Sequence, residues 1–416
     1  MRLSKTDGQA SWSALINSLE LENPNPFIFG KSRNRLAITK ASLGNLNLSS
    51  AFLTDFNQLV KWNVSAWLKT ATGTYMDSTT TLNWYNAVYN ANSKQFSLDS
   101  FQYTPTQPRD SVINNTPYQL DYMTFKSGNV TLNNFDLKKY NKDSSIIAES
   151  MNITQPEITL YSDKQPPFLS GIIKPLPVDA IKSINLPVSI NQINIIDGNL
   201  AYTEKHAKTR VEGTVLLTHM NGTISTIKNR NIHKGDSLSL AVNAYLMDST
   251  PIWLRVKESY TDSLSGFTMT LRMRPTSLSF LNPVLAPLSN VKITSGTIDS
   301  FHLRAIGREY LSFGEMNMYY RNLKIKLIKG GDPDNTTTFR NVISFLANTL
   351  LIRNNNNGRP GLVYFERLRD RSFFNYIVKM TFSGMATSIG VIKNRKYIKR
   401  YQRELNQKEL PEIQFD

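Results

Sequence analysis

Two short segments, "FHLRA" from Phe301 and "LKIKLIK" from Leu323, alternate apolar with polar or charged residues without a break. Phe301, Leu303 and Ala305, then Leu323, Ile325 and Leu327, fall in one register, and His302, Arg304, Lys324 and Lys326 fall in the other. Successive side chains of a strand point to opposite faces, so this period of two predicts strands with one buried face. Longer versions occur in "LSLAVNAYL", which aligns Leu238, Leu240, Val242, Ala244 and Leu246, and in "FTMTLRMR", which aligns Phe267, Met269, Leu271 and Met273. A sheet with one apolar face has to cover that face. Either a second sheet does so in a closed sandwich, or the face lines an open groove and a ligand covers it.

A strand pattern that runs into a glycine occurs four times: "ITKASLGNLNL", "MTFKSGNVTL", "INIIDGNLAY" and "VKITSGTIDS". Gly44, Gly128, Gly198 and Gly296 each mark an expected bulge or bend, where a positive φ or a close backbone approach is needed. Their spacing is too irregular for a solenoid of short period and fits a loose repeat. Between Gln155 and Pro187, Pro156, Pro166, Pro167, Pro175, Pro177 and Pro187 rule out a continuous central strand, because proline removes ladder donors. The chain therefore divides into β units over 1–155 and 188–330, a Pro-rich connector over 156–187 with a short helix at "VDAIKSI", and a helical basic tail over 331–416. Two stretches of the tail have helical periodicity, 338–352 and 371–392. In the second, Phe374, Val378, Phe382, Met385 and Ile389 form one stripe. "GGDPDNTTT" and "RNNNNGRPG" read as plain connectors.

A formal charge of +16 raises the question of nucleic acid or anionic lipid. Much of the excess sits in one place, at Lys393, Arg395, Lys396, Lys399, Arg400 and Arg403, with no acidic residue among them. Following an apolar stripe, this cluster predicts contact with a membrane surface or a membrane-embedded partner, and no nucleic acid is expected. The competing reading is a helix that plugs the end of the sheet while its basic residues are solvated. Cysteine is absent, which removes disulfides, thiolate metal sites and cysteine nucleophiles. His206, His219, His233 and His302 lie far apart, without the close spacing of a local zinc site. "GKS" at Gly30 to Ser32 has Asn25 where a phosphate-binding loop has its first glycine, and Asp332, Asp334 and Asn335 lack the spacing and closing Glu of a calcium loop. No catalytic residue, metal site or cofactor is expected, so the chain reads as a non-enzyme. Its amino terminus has no apolar run of the length an export signal or spanning helix needs.

The stretch from Ile193 to Ser225 sets Gly198, Tyr202, Glu204, Gly213 and Gly222 in the order of a Gly strand, a Tyr-x-Glu segment and a second Gly-opened strand. It resembles the central portion of AsmA-like proteins of Gram-negative envelopes, relatives of TamB. The segment "FLANTLLIRNNNNGRPGLVYFERLRDRSFFNYIVKMTFSGMATSIGV" is similar to the carboxy-terminal part of large members. The resemblance implies a mostly β protein in which a long, curved, antiparallel sheet forms an open apolar groove, followed by a short α-helical tail. It also implies a periplasmic or envelope location and a non-catalytic role in handling phospholipid or maintaining the outer membrane, with acyl chains held in the groove. Leu240, Val242, Leu246, Met269, Leu271, Leu303 and Ile325 are the expected lining. Members usually begin with an inner-membrane anchor that is not visible here, so the chain matches the carboxy-terminal portion of a larger member. The alternative is a closed β-sandwich with a structural or interaction role in an envelope or surface assembly.

Overall fold

The structure, a computed structural model, describes residues 2–6, 9–29, 35–49, 68–169, 171–327 and 352–407. Nearly all of the helical pattern at 338–352, the acidic turn at Asp332 and Asp334, and the segment from Gly30 to Ser32 lie outside them. Two compact units form: Met1–Arg109 with Thr124–Glu157, and Asp110–Met123 with Ile158–Asp416. Strands far outnumber helices among the described residues, as the alternation predicts.

In the first unit β1 (Arg2–Thr6), β2 (Gln9–Phe29), β3 (Arg35–Ser49), β4 (Leu68–Met76) and β5 (Thr80–Asn90) pair antiparallel in chain order. β5 pairs both β6 (Gln95–Leu98) and β7 (Ser100–Pro105), and β8 (Asp121–Ser127) adds to β7. β9 (Val130–Asn133) pairs with β6 and with β10 (Ile146–Thr154). Gly128 turns the chain between β8 and β9, and its N–H donates to Thr154 O at 2.9 Å. The short helices α1 (Arg109–Asn115), which belongs to the second unit except for Arg109, and α2 (Leu137–Asp143) have no periodic signal in the sequence, but α2 is fixed by its cap. The Asp136 carboxylate accepts the Lys139 N–H at 3.0 Å, satisfying a donor that the helix itself leaves free.

Beyond its Asp110–Met123 segment the second unit continues with β11 (Glu157–Asp163) and with α3 (Pro177–Lys182), which lies in the Pro-rich stretch as "VDAIKSI" predicts. Pro177 opens the helix, where a missing N–H costs nothing. A meander follows: β12 (Val188–Lys205), β13 (Glu212–Lys228), β14 (Ser237–Leu246), β15 (Thr250–Ser259) and β16 (Phe267–Met273). β17 (Thr276–Ser277) is a two-residue strand set on β18 (Val291–Gly307), and β19 (Leu311–Leu327) and β20 (Gly361–Glu366) complete the sheet. From β12 to β20, leaving β17 aside, every strand is antiparallel to its neighbour in chain order. A 3₁₀ turn (Leu278–Leu281) and α4 (Asn282–Ser289) separate β17 from β18, and α5 (Phe373–Ser388) and α6 (Arg395–Gln407) end the described chain.

Register turns the apolar alternation into continuous rows. Gly222, Val242, Leu254, Leu271, Leu303, Met316 and Gly361 are successive partners from β13 to β20. The neighbouring row runs Ile224, Leu240, Val256, Met269, Ala305, Gly314 and Val363. The core is deepest where these rows cross β16, β18 and β19, and Met269, Leu303, Met316 and Met318 are wholly buried there. Gly198 and Gly296 both sit at register shifts in long strands. Gly296 takes φ +136° itself, whereas beside Gly198 the left-handed residue is Asp197, at φ 54°. Gly44 pairs with Ser18 within the β2–β3 ladder.

One member of the apolar face is charged. Glu258 on β15 is 2% exposed, and its Oε2 accepts the Val178 N–H of α3 at 3.1 Å. Burial raises its carboxyl to about 7 from an ordinary 4.5. Nearby Asp179 pushes the same way, while the Val178 hydrogen bond, Lys182 and Arg367 oppose it. Between those two values the folded state keeps a proton that the unfolded chain has released. The neutral form therefore favours folding at low pH, and this advantage is lost as pH rises through about 7. Glu258→Gln keeps the acceptor and has no proton to lose. In thermal melts its stability relative to the parent should grow from about pH 5 to about pH 8, by on the order of 2 kcal/mol. A constant difference across that range would show that Glu258 does not titrate as described.

Candidate functional site

A sheet ends in an edge strand whose free N–H and C=O groups need partners. In β20 the polar side chains of α5 and the turn after it supply them. Ser383 Oγ accepts the Tyr364 N–H at 3.2 Å and donates to Tyr364 O at 2.8 Å. Thr387 Oγ1 and Asn394 Nδ2 each donate to Leu362 O at 2.8 Å. This brings helix and strand close, and "FSGMATS" allows it because Ser383, Gly384, Ala386, Thr387 and Ser388 are small. A Cβ on Gly384 would lie 2.8 Å from Met316 Cε, and one on Gly361 would strike Ser388 Oγ and lie 2.5 Å from Gly384 O. Ser372 caps the start of α5, its side chain accepting the Asn375 N–H at 3.2 Å. Tyr376 and Met380 are buried against the sheet.

Beside this contact lies a cavity of about 820 Å³, within the size range of small-molecule sites. Leu278, Leu281 and Leu285 form one wall, from the turn and α4. Ile293, Leu323 and Ile325 form the sheet wall, and Phe382, Met385 and Ile389 of the α5 segment another. α4 is held in place at both ends. Asn282 Nδ2 donates to Ile293 O at 2.9 Å and its Oδ1 accepts the Ile293 N–H at 2.8 Å, while Leu288 and Pro287 pack where a side chain on Gly213 would stand.

Of the expected groove residues, Ile325 alone is in this cavity wall. Met269, Leu271 and Leu303 are buried in the core beneath, and Leu240, Val242 and Leu246 on β14 are half-buried against its flank. From the expected tail, Phe382, Met385, Ile389 and Lys393 line the cavity. Phe374 and Val378 do not, and Phe374 packs on Tyr202 with ring centroids 5.9 Å apart. Arg395, Lys396, Lys399, Arg400 and Arg403 are all exposed on α6. The sequence pattern gives no helix for α4 or α6 and no strand for β20. In α4 the internal Pro287 hides the helix, although Asn282-Pro283 is a fair start signal. Asn356, in the run read as a plain connector, is 1% exposed. It bridges to Tyr320, with its Nδ2 donating to Met318 O and Arg359 O, both at 2.9 Å.

The ionisable residues of the cavity wall are Lys379, Lys393 and Glu366, with Tyr364 and Tyr397 beside them. Burial lowers Lys379 to about 8; Glu204 opposes the shift, and Arg371 and Lys164 add to it. Glu204 belongs to the Tyr-x-Glu segment. Its Oε2 accepts the Tyr202 hydroxyl at 2.8 Å and lies 3.9 Å from Lys164 Nζ. Burial, together with the Glu204 charge, raises the Tyr202 hydroxyl. Tyr397 stacks on Tyr364 at 5.3 Å and Tyr401 packs on Phe313 at 5.1 Å, so α6 rests on the sheet through aromatic rings and turns its basic side to solvent.

No protein-family model matches the chain, and no curated protein sequence does. Among the described residues no group of His, Asp or Glu is arranged to hold a metal ion, and no helix is long and apolar enough to cross a membrane.

The close approach of α5 is testable. Gly361→Val places side-chain atoms against the helix backbone and should cost about 1 to 3 kcal/mol in denaturant unfolding. Gly358→Ala is the control, since nothing lies within 4 Å of the added carbon, and it should change stability by less than about 1 kcal/mol. Equal effects would remove the packing argument.

Proposed function

We propose that this chain is a non-catalytic lipid-handling protein of a cell envelope, which holds acyl chains in an apolar cavity and docks on membranes through its basic carboxy-terminal helix. The observation that carries the reading is the cavity beside α5, whose walls are mostly aliphatic and aromatic side chains and which is large enough for a small-molecule ligand. Apolar walls without convergent catalytic groups suit a ligand bound by burial alone, at about 25 cal/mol for each Å² removed from water. The half-buried residues of β12 to β15, among them Ile195, Leu217, Leu240, Val242 and Leu254, extend apolar surface away from the core and fit the same use. The likeness to AsmA-like envelope proteins supports a periplasmic setting, phospholipid as ligand and a role in maintaining the outer membrane. A closed structural protein of a surface assembly is the competing reading. It is less favoured because, among the described residues, helices and no second sheet pack on the apolar face of the meander in the second unit.

Native mass spectrometry of gently purified protein separates the two. Co-purified phospholipid is expected with the parent chain. Met385→Trp, which fills the cavity, should reduce it about tenfold, one 1.4 kcal/mol step, without altering the circular dichroism spectrum. Protein that never carries lipid, even after incubation with vesicles, would leave the structural reading standing. Docking has its own test. Replacing Lys393, Arg395, Lys396, Lys399, Arg400 and Arg403 by Gln should abolish flotation with anionic vesicles, and added salt should weaken flotation of the parent, because exposed charges are screened over about 8 to 10 Å. Flotation indifferent to both changes would show that α6 is not the docking element.

A further inference from the structure

Three segments of the second unit, around residues 118–121, 166–174 and 367–371, are held side by side by polar groups while apolar side chains stay outside. The Gln119 N–H donates to Pro167 O at 3.0 Å, and its side chain donates to Pro166 O at 3.0 Å and accepts Arg371 Nη1 at 3.1 Å. The Lys174 N–H donates to Arg369 O at 2.8 Å, and Lys174 Nζ lies 2.7 Å from Asp121 Oδ2. On these adjoining backbones Tyr118, Leu120, Leu169, Ile172, Ile173 and Leu368 are exposed, Ile172 and Ile173 at 49% and 55%. A single exposed aliphatic residue is ordinary, whereas several on neighbouring segments form a patch, and an apolar patch with a polar rim marks a docking surface.

Three features select a lipid bilayer as what covers it. Leu368 also lines the cavity, so the patch adjoins the apolar space assigned to acyl chains. A lipid moving between a membrane and that space avoids water where the two meet. Pro166, Pro167 and Pro175 have no N–H, and both backbone groups of Lys174 are bonded, its carbonyl by Arg367 Nη2. Each such position lowers the cost of bringing this backbone into an apolar medium. Tyr118 and Tyr310 are exposed and Arg369 lies over the Tyr310 ring at 4.7 Å, with Lys174 and Arg371 in the same segments. Side chains with an apolar body and a polar tip suit the headgroup level of a bilayer.

We infer that this patch enters the interface of a lipid bilayer, with Ile172 and Ile173 among the acyl chains and the Leu368 side of the cavity brought to the membrane. This rests on the lipid-handling reading and adds an apolar contact to the docking that α6 provides by charge. The two are separable, because salt screens the basic residues and leaves apolar burial in place.

The sequence has no cysteine, so Ile173→Cys in the full-length chain carries one environment-sensitive NBD label. Asn243→Cys, on the exposed polar face of β14, is the control. On vesicles of equal parts phosphatidylcholine and phosphatidylglycerol, the label at 173 should shift its emission to the blue and be quenched by spin-labelled acyl chains. The label at 243 should do neither. Unlabelled Ile172→Ser/Ile173→Ser protein, changed at two exposed positions, should bind these vesicles about tenfold more weakly with an unchanged salt dependence, because no charge is removed. A label at 173 that stays in water on vesicles to which the protein binds, or a double variant that binds like the parent, overturns the inference and leaves α6 docking and lipid retention intact. A blue shift that grows with protein concentration in the absence of vesicles, together with a dimer in sedimentation, overturns it in favour of a second copy of this chain. Protein that binds no vesicle overturns the inference and membrane docking together.

Discussion

Keeping one apolar sheet face out of water is the constraint on which the second unit depends. Antiparallel register gathers Val242, Leu271, Leu303 and Met316 into one row and Leu240, Val256, Met269 and Ala305 into the next, so the face is continuous by construction. Helices cover it, and they cover it unevenly. Where α5 lies on β18, β19 and β20, Leu303, Met316, Met318 and Val363 are wholly buried, whereas Leu240, Val242 and Leu246 on β14 are only half-buried. The cavity lies in the region where α4 and α5 both meet the sheet. Two rounded helices on one surface do not fill space as a second interdigitating sheet would.

The placement of α5 also solves the problem of the sheet's last edge. Ser383, Thr387 and Asn394 give β20 the hydrogen bonds that a further strand would supply, and Gly361 and Gly384 let the backbones approach. An edge satisfied in this way cannot recruit another strand, which blunts a common route to aggregation. The same contact fixes Phe382, Met385 and Ile389 as cavity wall, so edge protection and cavity formation share one helix.

Charges inside the unit are placed where local partners hold them. Arg367 is buried with its Nη1 2.8 Å from Glu309 Oε2, and its Nη2 donates to Lys174 O at 2.5 Å, tying the Pro-rich stretch to the segment before α5. Glu258 holds α3 through a single backbone donor and is consequently pushed toward its neutral form. A buried carboxylate with one donor is under-solvated, whereas a buried guanidinium with a carboxylate and a carbonyl is much better compensated.

The sequence by itself determined the strictly alternating strands β14, β16, β18 and β19, because a period of two needs only neighbouring residues: Phe301, Leu303 and Ala305 are apolar whatever they meet. It also determined that α5 has an apolar stripe and that basic residues follow it. It did not determine which surface that stripe faces. Phe382, Met385 and Ile389 have the same helical spacing whether they meet lipid or sheet, and the choice was made by Ser383, Gly384 and Thr387, whose small size matters only once β20 is alongside. α4 was hidden for a related reason. Its propensity is poor with Pro287 inside, and it stands because Asn282 is held by Ile293 and because Gly213 leaves room for Leu288. Elements set by local periodicity could be read from the chain, and those set by close approach between distant segments waited for the tertiary structure, because the atoms that decide them are neighbours only after folding.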